Sequence, residues 1–102
     1  MKGIDFMKAE FFKALAHPTR VRIINFLFYG ERCVCELIDE LELEQPNVSQ
    51  HLAILRKQDL VDTTKKGLQV FYRITDPRII TLMKLVEEII VEKLINDTIA
   101  TW

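Results

Sequence analysis

Cys33 and Cys35, one residue apart, are the only thiols in this 102-residue chain. Three roles are open to them: capture of a soft metal or metalloid ion, oxidation to a disulfide, or service as inert, half-buried small side chains. On a regular helix residues i and i+2 point about 200° apart, so the two sulfurs can hold one ion only where Cys33 still precedes the helix. At a helix start the dipole and neighbouring Arg32 favour thiolate, and Glu31 and Glu36 oppose it. Two thiolates are fewer ligands than arsenic or a tetrahedral metal takes, which leaves a further position for solvent, a small thiol or a nearby side chain. A disulfide across Cys-x-Cys closes a small, strained ring, so both thiols are expected to be reduced.

A second group of residues has the chemistry of nucleic-acid contact. Asn47, Ser49, Gln50 and His51, followed by Arg56 and Lys57, combine amides and a hydroxyl able to bond base edges with cations able to bond phosphate. Lys65, Lys66 and Gln69, with Arg73 nearby, add a basic tip suited to phosphate or the minor groove. Each of these residues taken alone is also ordinary polar surface. His51 has two readings, a base reader or a partly buried, hydrogen-bonded histidine.

The elements that must position these groups follow from periodicity and breakers. Phe6, Phe11, Phe12 and Leu15 recur at helical spacing from Asp5 to Leu15, before Ala16-His17-Pro18 stops the helix. Pro18 suits the start of a second helix running to Gly30. Val34, Leu37, Ile38 and Leu41 form one face of a third helix over Cys33 to Leu43. A fourth opens at Pro46 with Val48, Leu52 and Leu55 inward, which turns Gln50 and Lys57 outward and leaves Asn47, Ser49 and Arg56 on the flanks. Residues 61–74 are rich in β-branched and aromatic types around Gly67 and predict a hairpin. Asp76-Pro77 caps and opens a last helix of about 20 residues. The result is mainly α with a β-hairpin wing, a winged helix-turn-helix in the order ααααββα, as one domain over residues 1–102.

Composition agrees with a packed fold: 49% of residues are hydrophobic and 28% charged. The net charge of −1 is unpromising for a nucleic-acid partner, but its distribution is uneven, with +3 over residues 45–73 against −5 over 31–44. No apolar run reaches the length of a membrane span and no secretory leader is visible, so no membrane partner and a cytoplasmic location are expected. With no phosphate-binding glycine loop, no paired acids with a histidine and no open zinc-ligand set, the chain is not expected to be an enzyme.

Three segments, Ala14-Leu15-Ala16-His17-Pro18-Thr19-Arg20, Glu31-Arg32-Cys33-Val34-Cys35-Glu36-Leu37 and Gln45-Pro46-Asn47-Val48-Ser49-Gln50-His51-Leu52, resemble in order and spacing the ArsR/SmtB family of metal- and metalloid-responsive repressors. The resemblance spans nearly the whole chain. It implies a homodimer that occupies a double-stranded operator and leaves when an inducer binds. It further implies that Cys33 and Cys35 match the family's Cys-Val-Cys inducer site for As(III), Sb(III) or a soft divalent metal, with no obligatory cofactor. The further cysteine of the arsenic pattern is Ile38 here, and the N-terminal cysteines of the cadmium and lead pattern are absent. Residues 78–102 hold no histidine, so the zinc-type site of the last helix is not expected.

The last helix is apolar over more of its circumference than one small domain can cover. Phe6, Phe11 and Phe12 with Met83, Val86, Ile90 and Leu94 are therefore expected at a two-fold interface, which sets two reading helices about 34 Å apart on a near-palindromic site. The alternative is that both faces pack within one protomer. Two rival functions remain: a thiol-redox-responsive repressor using the same cysteines, and a winged-helix module for protein contacts, suggested by the acidic third helix.

Overall fold

Helix breakers divide the chain into short pieces that close around one core. In the computed structural model, which describes residues 2–100, the order is α1 (Ile4–Leu15), α2 (Pro18–Phe26), a 3-10 turn (Leu27–Tyr29), β1 (Arg32–Cys33), α3 (Val34–Leu41), α4 (Gln45–Lys57), β2 (Val61–Lys66), β3 (Gln69–Ile74) and α5 (Pro77–Ala100). The helices and wing expected from the sequence are all present. One element is added. Arg32 and Cys33 pair antiparallel with Tyr72 and Phe71, which makes a three-stranded sheet in the order β1-β3-β2. Two residues are too few to show a period of two, so the strand was invisible to patterning.

Local chemistry accounts for the boundaries. His17 is the N-cap of α2: its Nδ1 accepts the Thr19 amide proton at 3.0 Å, and Pro18 follows at a position where a missing amide costs nothing. The α-helical part of this segment ends at Phe26, short of the expected Gly30, and a 3-10 turn completes it before Gly30 at φ +136°. Helix α3 also ends early, at Leu41, because Glu42 takes the left-handed conformation at φ 54°. Asp76 caps α5 through the Arg78 amide at 2.9 Å. The hairpin closes on Gly67 and Leu68, with a positive φ at Gly67 and none at Leu68, as a type II′ turn requires.

The core is built from Ala14 and Leu15 of α1, Ile23 and Ile24 of α2, Leu27 of the 3-10 turn, Leu37 and Leu41 of α3, Val48, Leu52 and Leu55 of α4, and Leu60, Val61 and Ile79. Each fully buried aliphatic side chain of this set contributes about 1.5–3 kcal/mol by leaving water. Helix α4 is thus held by three inward residues spaced about one turn apart, which fixes its roll about its axis. Arg22 of α2 donates to the Glu40 carbonyl at 3.1 Å and ties the far end of α3 to the same frame.

Helix α5 is different. Ile79 is buried and Met83 packs partly on the core, but Leu85, Ile89, Val91, Leu94, Ile95 and Ile99 are exposed. A helix of 24 residues is about 36 Å long, and every described side chain of its second half is exposed. Among the described residues no helix is long and apolar enough to cross a membrane.

Candidate nucleic-acid interface and dithiol site

Because Val48, Leu52 and Leu55 are fully buried, the opposite side of α4 is set, and Asn47, Ser49, Gln50, Arg56 and Lys57 are all exposed. Arg56 and Lys57 occupy its last turn, where a helix C-terminus favours cations. The helix begins one residue earlier than Pro46, at Gln45, with Glu44 as N-cap. The two flanks of α4 meet different neighbours. Gln45 and Ser49 face the wing and the cysteine pair across an open cleft, whereas Ile54 faces Arg20 and Lys13.

His51 lies on this second flank. Its ring centroid is 4.5 Å from that of His17, and it is half-buried. Its Nδ1 is buried and has no hydrogen-bond partner among the described residues. Burial lowers the His51 pKa, with the nearby charges of His17 and Arg20 acting in the same direction. The neutral imidazole is therefore favoured at the middle of α4.

On the wing, Lys65, Lys66 and Gln69 are exposed, and Leu68 between them is fully exposed at the turn. Lys66 is not a free cation: it pairs with Glu31 and stands 4.8 Å over the Phe71 ring. Arg73 is paired with Asp62 at 3.3 Å. Leu68 and the wing-facing flank of α4 went unnoticed in the sequence; the cue for Leu68 was a large apolar residue set directly after the turn glycine among lysines.

The cysteines sit where β1 becomes α3. Cys33 is extended, at φ −74° and ψ 158°, and caps α3, its Sγ accepting the Glu36 amide proton at 3.4 Å. Cys35 is in the first helical turn. The Cα atoms are 5.3 Å apart, as they would be on a regular helix, but the extended backbone at Cys33 turns the two side chains together, and the structure joins them in a disulfide. The structure has a disulfide where two free thiols were expected, and Cys33 precedes the helix as convergence requires: the strand–helix junction removes the divergence of about 200° that a regular helix would impose. Cys33 is buried and Cys35 exposed, so one sulfur is sheltered and the other is open to solvent. Arg32 bonds Glu36 at 3.3 Å and lies 4.8 Å over the Phe26 ring, so its charge is already partnered.

The seven residues expected at a two-fold interface are divided. Phe6, Phe12, Val86, Ile90 and Leu94 are exposed, whereas Phe11 and Met83 pack partly against their own core. Met83, Val86 and Ile90 line a groove of about 560 Å³ with Val21, Phe28 and Tyr29.

Residues 17–63 match the model of the bacterial regulatory proteins of the arsR family. An uncharacterized HTH-type transcriptional regulator of Methanocaldococcus jannaschii is 46% identical over 82 residues, a match covering 79% of this chain and 92% of the relative. A probable mercury resistance operon repressor of Streptomyces lividans is 38% identical over 77 residues, covering 76% of this chain and 62% of the relative. Among solved structures, Rv0081 of Mycobacterium tuberculosis superposes with a TM-score of 0.88 at 34% identity, covering 96% of this chain and 99% of that one. A homodimeric winged helix-turn-helix DNA-binding domain of Mycobacterium bovis, described as a possible ArsR-family regulator, gives a TM-score of 0.80 at 30% identity, covering 86% and 82%. Helix order, the exposed polar face of α4 and these matches agree, and the chain belongs to the ArsR family of regulatory proteins: it is a winged helix-turn-helix DNA-binding transcription repressor rather than an enzyme.

Proposed function

We propose that the protein binds a near-palindromic operator as a homodimer and is released when a soft metal or metalloid ion, such as arsenite, is captured by the reduced Cys33/Cys35 dithiol. The convergence of the two sulfurs at the β1–α3 junction, beside the first turn of α4, carries this reading. Gln50, Asn47 and Ser49 read base edges in the major groove, with Arg56 and Lys57 on phosphate and His51 on the flank. Lys65, Lys66 and Gln69 of the wing hold the adjacent backbone or minor groove, Lys66 exchanging Glu31 for phosphate.

The donor set suits a thiophilic ion and not a closed structural zinc. Among the described residues no group of three or more His, Cys, Asp or Glu side chains could hold a metal, so the chain offers two thiolates and leaves the remaining position to solvent or a small thiol. The mercury-resistance repressor among the relatives is in keeping with a soft ligand.

A second reading has its own observation, the disulfide itself. There the two thiols lose two electrons and two protons to an oxidant such as hydrogen peroxide, which is reduced to water, and the S–S bond is the released state.

The dimer rests on the exposed apolar residues of α1 and the projecting part of α5, with Phe6, Phe12, Val86, Ile90 and Leu94 in contact with the second copy and Phe11 and Met83 supporting them from beneath. The homodimeric Mycobacterium bovis domain is built on the same fold. Sedimentation of a labelled duplex taken from upstream of the protein's own gene tests the reading. Two protomers per duplex, freed by arsenite, is the expected result; one protomer, or no binding, overturns it.

A further inference from the structure

Exposed Cys35 does not open onto a neutral surface away from the reading face. Together with Ile38, Ser49, Leu68, Gln69 and Tyr72 it lines an open cleft of about 410 Å³ between α4 and the wing. Ser49 and Gln69 are residues assigned above to DNA. When a reading helix enters the major groove and a wing reaches the neighbouring minor groove, the phosphate strand dividing those grooves must cross the space between them. In this protein that space is the cleft holding the Cys35 sulfur.

We propose that the operator backbone and any group carried on Cys35 compete for this one cleft, so that the effector acts by direct exclusion of phosphate and not only by moving α4. The inference deepens the reading above and rests on it. Burial and charge support it. Cys33 is 3% exposed and lies in the sheet, so an adduct must extend from Cys35 into the cleft. Glu31 is paired with Lys66 and Glu36 with Arg32, so the phosphate strand entering the cleft is the strongest charge that a group carried on Cys35 would meet. Leu68, wholly exposed at the far wall, gives the cleft an apolar edge that a bulky adduct can lean on.

The sign of an added charge separates exclusion from relayed movement. Cys33→Ser leaves one thiol, which methanethiosulfonates convert to a mixed disulfide as methanesulfinate departs; Cys33→Ala provides a second background. Methyl, 2-aminoethyl and 2-sulfonatoethyl adducts are then compared by operator titration across a salt series. The cationic adduct is expected to bind at least as tightly as the methyl one, with a salt slope steeper by about one, and the anionic adduct to lose about tenfold or more in affinity with a shallower slope. In reduced wild type, operator is expected to slow iodoacetamide labelling of Cys35 by about tenfold or more, because the backbone covers the sulfur. Equal effects of all three adducts with an unchanged slope, or a labelling rate indifferent to operator, would overturn direct exclusion while leaving the DNA-binding reading intact. Failure of unlabelled wild type to bind operator would instead remove the reading beneath it.

Discussion

The ring of His51 on α4 stands 4.5 Å from the ring of His17, the cap of α2, with the planes inclined at 43°. The pair joins α4 to α2, with the positive charge of Arg20 beside it. Desolvation first, then His17 and Arg20, hold the folded pKa of His51 below its ordinary value. The unfolded chain therefore takes up the proton first as pH falls. The stability contributed by neutral His51 is present above the ordinary histidine value of about 6.5 and is lost as pH drops from there through the folded pKa. Urea unfolding at pH 8, 6.5 and 5 should show stability falling across this range, with the fall reduced in His51→Gln. An identical pH profile in the variant would remove His51 as the cause. Asp76, held near about 2 by the Arg78 side chain and amide, titrates well below this window and does not obscure it.

Gln50 and Lys57 share the outward face of α4 but differ in chemistry. Gln50→Ala should cost about 1–3 kcal/mol on the preferred operator and relax the preference at one base pair. Lys57→Ala should weaken all sequences alike and reduce the salt slope by about one. Titrations of matched and mismatched duplexes at several salt concentrations separate the two. Equal behaviour of both variants would mean that the face is used only for phosphate, or not for DNA.

Leu52 is 1% exposed between α4 and the core, so Leu52→Ala should lower unfolding free energy by about 2–5 kcal/mol. Measured by urea unfolding, a cost under about 1 kcal/mol would show that α4 is held less firmly than its burial implies.

The exposed apolar stripe of α5 should make the protein's oligomeric state sensitive to charge. Ile90→Glu and Leu94→Glu are expected to shift a dimer toward monomer in sedimentation equilibrium and to weaken operator binding by about tenfold or more, since one half-site is then held alone. Unchanged dimerisation in both would place the interface elsewhere.

Much of this was legible in the sequence because it depends on near neighbours. Pro18, Pro46 and Pro77 mark three helix starts, Gly67 marks the wing, and Val48, Leu52 and Leu55 give the roll of α4 from spacing alone. What was missed depends on partners distant in the chain. Strand β1 exists only because Tyr72 and Phe71 lie beside Arg32 and Cys33, some 40 positions on. The contact of His51 with His17, the pairing of Lys66 with Glu31 and the placing of Cys35 in the cleft opposite Gln69 are of the same kind. Periodicity assigns a side chain to a face of its own helix; the neighbour waiting on that face is set by tertiary packing.

The central claim is that the Cys33/Cys35 dithiol controls operator occupancy. Fluorescence anisotropy on the duplex upstream of the protein's own gene, at fixed salt and with fully reduced protein, tests it when arsenite, Cd(II) and hydrogen peroxide are added in turn to wild type, Cys33→Ser and Cys35→Ser. The account predicts that arsenite or Cd(II) releases wild type and neither variant. Release by peroxide alone would transfer the switch to the disulfide, and release of both variants together with wild type, or of none of the three by any addition, would contradict the claim.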